Sequence, residues 1–110
     1  MTKLIYIAGK YRAATEHEVY QNIQTAREWA MKWCQVDGWY PVTPHMNSAF
    51  FGGLCDDHKF LEGGLEMLRR CDAIFMIPGW EDSVGSKAEH YEAMQLGIRV
   101  FYELPNGEEQ

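Results

Sequence analysis

The sequence predicts an α/β domain built on a mostly parallel sheet, and three observations support this prediction. The chain has 110 residues, which is enough for one compact domain but not for two. Hydrophobic residues make up 46% of it, enough to form a core. Short β-branched and aromatic segments alternate with longer segments of helical periodicity, which is typical of parallel strands joined by helical crossovers.

The first part of the chain contains two predicted strands and one predicted helix. Residues 3–8, KLIYIA, have the continuous apolar pattern of a strand buried on both faces. Thr15 and Glu18 form a capping-box signature, and the helix that follows closes at residues 37–38, Asp-Gly. The apolar stripe of this helix consists of Val19, Ile23, Ala26, Ala30 and Trp33. Residues 39–44, WYPVTP, predict a short second strand.

The remaining elements follow the same alternation. Residues 45–60 have mixed polarity and paired glycines, which predict a loop. A second helix is expected from about Leu61 to Arg70, and a third buried strand over residues 72–77, DAIFMI. A third helix is predicted from Ser86 to Leu96, and a fourth strand over residues 98–103.

The predicted arrangement places two unusual loops side by side. Four strands of this kind most simply form a flavodoxin-like or Rossmann-like three-layer sandwich in the order 2-1-3-4, with a fifth strand possible. We expect one domain over residues 1–104 and a short acidic tail over 105–110 that frays. Ligands then bind outside the carboxyl ends of strands 1 and 3, where the winding reverses. Those ends carry GKYR at 9–12 and PGWEDSVGS at 78–86.

Charge and cysteine content restrict the class of protein. The net charge of −6 argues against binding of polymeric nucleic acid or of an anionic membrane, both of which need a basic face. Three cysteines without a C-x-x-C pair indicate a reducing compartment. The N-terminal segment turns polar too early for a signal peptide, and no apolar run is long enough for a membrane span. We therefore expect a cytoplasmic protein.

The loop at residues 9–12 is a candidate phosphate-binding segment. Gly9 permits close backbone approach, and Lys10 and Arg12 can pair with a phosphate near a helix N-terminus. The loop matches neither glycine-rich phosphate motif, so a tight turn with two solvated cations remains an alternative. Tyr11 is better placed than Tyr6 to face a ligand, because Tyr6 lies inside a strand, where its hydroxyl needs a partner.

The segment before the last helix allows two interpretations. Ser86 and Glu89 fit the S-x-x-E capping box, in which Glu89 only bonds back to the helix start. Alternatively, Glu89 is a carboxylate kept ionised by the helix dipole and able to attack an electrophilic carbon. Gly85 then leaves room for a sugar ring, and Asp82 and Ser83 either hydrogen-bond a ligand or form a turn.

Other polar and aromatic residues carry weaker signals. Trp80 follows the third strand, where its ring can stack on a base or be an ordinary half-buried aromatic. His45, His58, Asp56 and Asp57 lack the spacing of a metal site, so we predict no metal and solvated loop positions, with His45 as a candidate ligand contact. No cysteine lies in the cationic setting of a reactive thiol.

Three segments together resemble a known family: IYIAGKYR at 5–12, CDAIFMIPGWEDSVGSKAE at 71–89 and GIRVFYE at 97–103. They are similar to the nucleoside 2-deoxyribosyltransferase superfamily, and within it to a small branch of the DUF4406 type; the deoxynucleoside 5′-monophosphate N-hydrolases are related. The resemblance extends from Lys3 to about Glu103, with a poor match over 45–60. It implies a flavodoxin-like fold and cleavage of the bond between a base and a (deoxy)ribose, and we expect no cofactor.

The resemblance also implies roles for individual residues. It makes Glu89 the nucleophile, and the first loop a contact to sugar or phosphate through Gly9, Tyr11 and Arg12. It makes Ser83 a phosphate contact and implies a homodimer or larger homo-oligomer. The full set of candidate substrate contacts is Tyr6, Gly9, Lys10, Tyr11, Arg12, His45, Trp80, Asp82, Ser83 and Gly85. In one position the sequence departs from the family pattern, because Gly64 stands where an assisting Asp is expected.

These observations lead to one main hypothesis and two alternatives. The main hypothesis is an N-glycosidic hydrolase or transferase that acts on a small (deoxy)nucleoside or nucleoside 5′-monophosphate through Glu89. The first alternative is a protein that binds a nucleotide or an ADP-ribose-like ligand without turnover, which Gly64 favours. The second is a flavodoxin-like electron carrier, which a yellow colour of the purified protein would reveal.

Overall fold

The computed structural model describes residues 1–105 and confirms the parallel sheet in the order β2-β1-β3-β4. All three strand pairs within this range are parallel. The strands are β1 (Lys3–Ala8), β2 (Trp39–Val42), β3 (Ala73–Met76) and β4 (Arg99–Phe101). The helices are α1 (Glu16–Cys34), α2 (Pro44–Asn47), α3 (Asp57–Arg69) and α4 (Val84–Leu96). The acidic tail was predicted to fray over residues 105–110, and of these, residues 106–110 lie outside the described range.

The central strand β1 separates two hydrophobic layers. Ile5 and Ile7 pack on one face with residues of α1, whereas Tyr6 and Ala8 pack on the other with residues of α3 and α4. All four side chains are fully buried, as the unbroken apolar pattern predicted. Helices therefore cover both faces of the sheet, which confirms the three-layer arrangement.

Helix α1 begins as its sequence signals predicted but ends at Cys34, before the predicted stop at residues 37–38. Thr15 and Glu18 form the predicted capping box, with the Glu18 amide 3.1 Å from the Thr15 hydroxyl oxygen and the Glu18 carboxylate 3.1 Å from the Thr15 amide. Of the predicted apolar stripe, all but the half-buried Val19 are buried. Trp33 meets three aromatic rings edge-on, those of Trp39, Phe75 and Phe101, and thereby joins α1 to the sheet.

The prediction of a loop over residues 45–60 is wrong at both ends. Pro44 occupies the first turn of α2, where its missing N–H is harmless, so β2 ends at Val42. Helix α3 begins at Asp57, four residues before the expected Leu61, because the Asp56 side chain accepts a hydrogen bond from the His58 amide at 3.1 Å. This Asx cap was the signal that the sequence interpretation missed.

Within residues 1–105 no helix has both the length and the apolar character that crossing a bilayer requires.

The loops after β1 and β3 touch each other at Gly9. A Cβ atom at this position would lie 2.6 Å from Cδ1 and 3.0 Å from Cβ of Ile77. Ile77 is itself buried and donates its amide to the carbonyl of Ala8 at 2.8 Å, so it has little freedom to move away. Gly9 is therefore required for this contact between the loops.

We expect Gly9→Ala to lower the free energy of unfolding by about 1–3 kcal/mol, the usual effect of inserting a methyl group into packed surroundings. Urea unfolding followed by circular dichroism measures this change. The matched control is Gly52→Ala, since a Cβ at Gly52 meets nothing within 4 Å. Equal stability of the two variants would contradict the close contact between the loops.

Two adjacent glycines in the middle of α3 have different surroundings. Gly63 is exposed, and a Cβ there would meet nothing within 4 Å. Gly64 is buried, and a Cβ there would lie 3.0 Å from the Tyr6 hydroxyl oxygen and 3.5 Å from Oε2 of Glu89. A glycine inside a helix lowers the stability of the helix by about 1 kcal/mol relative to alanine. The close approach of Tyr6 and Glu89 explains why a glycine is nevertheless present at position 64.

The two glycines should therefore respond differently to alanine. Gly63→Ala should raise the free energy of unfolding by up to about 1 kcal/mol, because it removes a helix-weakening residue without a clash. Gly64→Ala should leave the free energy of unfolding unchanged or lower it, because the new methyl group meets the rigidly packed Tyr6 ring. Chemical unfolding of both variants in parallel tests this, and an equal gain at the two positions would contradict it.

Candidate active site

The start of α4 differs from the predicted capping box. A short 3-10 turn over Trp80–Asp82 precedes the helix, which begins at Val84 rather than at Ser86. Ser83 is the N-cap, and its hydroxyl oxygen accepts from the Ser86 amide at 3.1 Å. The expectation that Ser86 and Glu89 cap the helix is wrong, and the Glu89 side chain is free for another partner.

That partner is Tyr6 on the central strand. The Tyr6 hydroxyl donates to Oε2 of Glu89 at 2.5 Å, a short charge-assisted contact when the carboxyl is ionised. Tyr6 is fully buried, so its hydroxyl needs an acceptor, whereas Glu89 is half-buried in the second turn of α4. The ring of Tyr6 thus both fills the core and orients one carboxylate oxygen.

Burial changes the protonation of this pair. Desolvation raises the pKa of Glu89 to about 7, although the hydrogen bond from Tyr6 acts in the opposite direction. Burial and the neighbouring carboxylate raise the pKa of Tyr6, so it remains a proton donor in the hydrogen bond. The expectation of a first-turn carboxylate kept ionised by the helix dipole is wrong, because Glu89 lies one turn deeper.

Position 64 faces the same pair but supplies no acid. Gly64 lies in the middle of α3, not near its start, beside Tyr6 and Glu89. Neither Asp56 nor Asp57 supplies the missing carboxyl group at this position. Asp56 caps α3, and Asp57 forms an exposed ion pair with Arg12 at 3.0 Å.

The first loop is held in position by several side chains. Tyr11 accepts a hydrogen bond from the Phe50 amide at its hydroxyl, at 2.9 Å, and its own carbonyl accepts from the Asn22 side chain at 3.1 Å. Lys10 is exposed, and the guanidinium of Arg12 is next to the carboxylate of Asp57. Lys10 is therefore the cation of this loop without a salt-bridge partner among residues 1–105.

His45 is not the solvated loop residue that the sequence suggested. It lies in α2 with 4% of its surface exposed, and its Nε2 is 3.1 Å from the carbonyl oxygen of Gly9 and 2.9 Å from that of Lys10. The Thr43–Pro44 helix start was the signal that could have placed it in an ordered element. His58, by contrast, is exposed as expected.

Metal ligands and activated thiols are not brought together in the part of the chain that the structure describes. No group of three or more His, Cys, Asp or Glu side chains there could hold a metal ion. Cys34 and Cys55 are exposed, and burial raises the pKa of the Cys71 thiol to about 11. Cys71 is therefore protonated at neutral pH and a poor nucleophile.

The remaining candidate residues lie around the start of α4. Trp80 is half-buried, and its ring packs on His90, with 4.4 Å between the ring centroids, so one of its faces is occupied. Asp82 is exposed at the end of the 3-10 turn. Gly85 is exposed, and a Cβ there would meet nothing within 4 Å, which leaves open space beside the backbone.

Two surface grooves lie away from Glu89. One, of about 600 Å³, runs between α1 and the chain after β4, with Trp29, Lys32 and Tyr102 in its walls. The Lys32 ammonium lies over the Trp29 ring, 4.4 Å from its centroid, and covers part of this aromatic surface. The other, of about 390 Å³, lies on α3 beside Gly63 and Arg70. The paired Tyr6 and Glu89 remain the strongest candidate for chemistry, because a desolvated carboxyl with a raised pKa is characteristic of reactive sites.

Comparisons with known proteins agree with this fold. The model of the family described as "Domain of unknown function (DUF4406)" matches residues 3–102. A search of curated proteins found no match. Among solved structures, a 2-deoxyribosyltransferase from the psychrotolerant bacterium Bacillus psychrosaccharolyticus is similar, with a TM-score of 0.61 and 19% sequence identity over 94% of this chain and 77% of that one.

The predicted resemblance is thus confirmed at the level of family and fold. The family match covers the segments around residues 5–12 and 71–89 on which the resemblance was based. The structural likeness extends over 94% of this chain, whose sheet in the described range is all-parallel in the order 2-1-3-4. The chain belongs to the DUF4406 family and has the α/β fold of a 2-deoxyribosyltransferase.

Proposed function

We propose that the protein cleaves N-glycosidic bonds of (deoxy)nucleosides or their 5′-monophosphates, as a hydrolase or a transferase, with Glu89 as nucleophile. The observation that carries the proposal is the hydrogen bond between Glu89 and the buried hydroxyl of Tyr6. It holds one carboxylate oxygen and leaves the other available for attack. The likeness to a 2-deoxyribosyltransferase supports the same class of chemistry.

The reaction is a double displacement at C1′ of the sugar. Glu89 attacks C1′ on the face opposite the base, a glycosyl ester forms, and the bond between C1′ and the base nitrogen breaks. The base leaves with the electron pair and takes up a proton from solvent water. Water then attacks C1′ of the ester to give the free sugar, or a second base attacks to give a new nucleoside; the attacking group loses its proton to solvent, and the Glu89 carboxylate is released in either case.

The surrounding residues suit a polar sugar and phosphate. Lys10 supplies a cation at the first loop, and Gly85 leaves open space for the sugar ring. Arg12 shares its charge with Asp57, so its contribution to phosphate binding requires this ion pair to rearrange. The rings of Trp80 and Tyr11 are the candidates for stacking on the base, although Trp80 also packs on His90 and against the core. A homodimer or larger assembly is part of the proposal.

The deciding experiment follows release of free base by chromatography from a panel of nucleosides and 5′-monophosphates. The wild type should release base from at least one of them, and Glu89→Gln should be slower by at least about a thousandfold, as expected for loss of a nucleophile. Glu62→Gln, a change of the same kind at an exposed position of α3, is the control and should be unaffected. Equal rates in the wild type and Glu89→Gln would refute the nucleophile.

A second candidate function is binding of a nucleotide or an ADP-ribose-like ligand without turnover. Gly64 favours it, since no side chain at this position can protonate the leaving base, and general acid assistance typically contributes about 10²–10⁴-fold. A binder would show a ligand-dependent rise in melting temperature, by the linkage RT ln(1 + [L]/Kd), while no base is released. Base release that depends on Glu89 would exclude this alternative.

The pKa of Glu89 predicts how activity depends on pH. Only the ionised carboxylate attacks, and its fraction rises as the pH passes through about 7, so kcat/KM should rise over the same range. Tyr6→Phe removes the hydrogen bond that lowers this pKa, so the rise should move to higher pH. Carboxyl ¹³C NMR of Glu89 gives the same pKa independently of activity. A Glu89 pKa that is unchanged in Tyr6→Phe would contradict the role assigned to the bond.

A further inference from the structure

The imidazole of His45 contacts the backbone of the first loop. Both atoms within hydrogen-bond distance of its Nε2 are carbonyl oxygens, those of Gly9 and Lys10. Carbonyl oxygens only accept, so Nε2 must carry the proton. Nδ1 is buried without a hydrogen-bond partner among residues 1–105, and in the neutral ring it is the nitrogen without a proton. Burial also lowers the pKa of His45, in agreement with a neutral ring.

This contact determines where two amide groups point. In a trans peptide unit the N–H is directed opposite to the C=O. Because the carbonyls of Gly9 and Lys10 point at His45, the N–H groups of Lys10 and Tyr11 point to the side away from His45. Neither N–H has an acceptor within the described part of the chain.

A second side chain, that of Asn22, binds the carbonyl of the next peptide unit along the loop. The carbonyl of Tyr11 accepts from the side-chain amide of Asn22 in α1. Three consecutive carbonyls, those of Gly9, Lys10 and Tyr11, are therefore held by side chains from outside the loop. Successive unpaired N–H groups form an anion-binding surface, and the exposed ammonium of Lys10 adds positive charge beside them.

We propose that His45 is a positioning residue that orients the N–H groups of Lys10 and Tyr11 toward an oxyanion of the phosphate monoester class. The imidazole acts through the backbone and does not touch the ligand. This inference rests on the proposed function for the identity of the substrate, whereas the anion site itself is testable without any activity.

The test is a titration of ¹⁵N-labelled protein with inorganic phosphate and, separately, with a nucleoside 5′-monophosphate and the matching nucleoside. In the wild type, the amide signals of Lys10 and Tyr11 should shift and saturate with both phosphate compounds, and much less with the nucleoside. His45→Leu should bind phosphate about tenfold more weakly, the effect of weakening one or two hydrogen bonds. His45→Gln, which keeps a side-chain N–H donor, should recover most of the affinity.

Two outcomes would overturn the inference. The first is unchanged phosphate affinity in a His45→Leu variant that retains the wild-type amide spectrum elsewhere. The second is a set of Lys10 and Tyr11 signals that do not respond to phosphate in the wild type. If His45→Leu does not fold, long-range ¹H–¹⁵N spectra of the wild type still decide, because a proton on Nδ1 instead of Nε2 would exclude the proposed contacts.

A kinetic measurement separates this inference from the proposed function. If base release is observed, His45→Leu should raise KM for the 5′-monophosphate while kcat stays nearly constant, because binding and not chemistry is altered. A lower kcat with unchanged KM would contradict positioning of the phosphate. If no base is released, the proposed function fails, and the phosphate titration still tests the anion site.

Discussion

The hydrogen bond from Tyr6 to Glu89 determines how β1, α3 and α4 can pack together. Tyr6 is fully buried in the central strand, so its hydroxyl requires an acceptor inside the protein. The acceptor comes from the second turn of α4, and α3 passes over the contact with a glycine because any Cβ at position 64 would approach the hydroxyl to 3.0 Å. One polar contact thus explains a tyrosine in a core strand and a glycine in a helix interior, whereas the raised pKa of Glu89 comes from its burial and is opposed by this hydrogen bond.

Much of the fold could be predicted because its signals are local in the sequence. Strands β1 and β3 read as continuous apolar segments since both of their faces are covered, and the Thr15–Glu18 box marks the start of α1. The region around α2 and the start of α3 could not be read in the same way. Its signals are a single proline after Thr43 and a single Asp cap, and the glycines of the segment suggested a loop instead.

The sequence predicted where the candidate site lies, but not which residues touch each other there. The order of the strands correctly brought the loops after β1 and β3 together, which depends only on topology. The sequence offered two partners for Glu89, the helix start and a ligand, and the structure adds a third, Tyr6, which is distant in the chain. The burial of His45 could not be predicted from the sequence either. It depends on how α2 packs against α1 and the first loop, not on the residues next to His45 in the chain.

The contact between Gly9 and Ile77 closes the space between the loops after β1 and β3. The two loops already touch without a side chain at position 9, and Ile77 is hydrogen-bonded to the end of β1, so neither loop can yield toward the other. Because the loops are in contact, no space is left between them for part of a ligand of the proposed kind. In the proposed site, selection by size then falls to the rim, where the exposed side chains of Lys10 and Phe50 can change rotamer without disturbing the core.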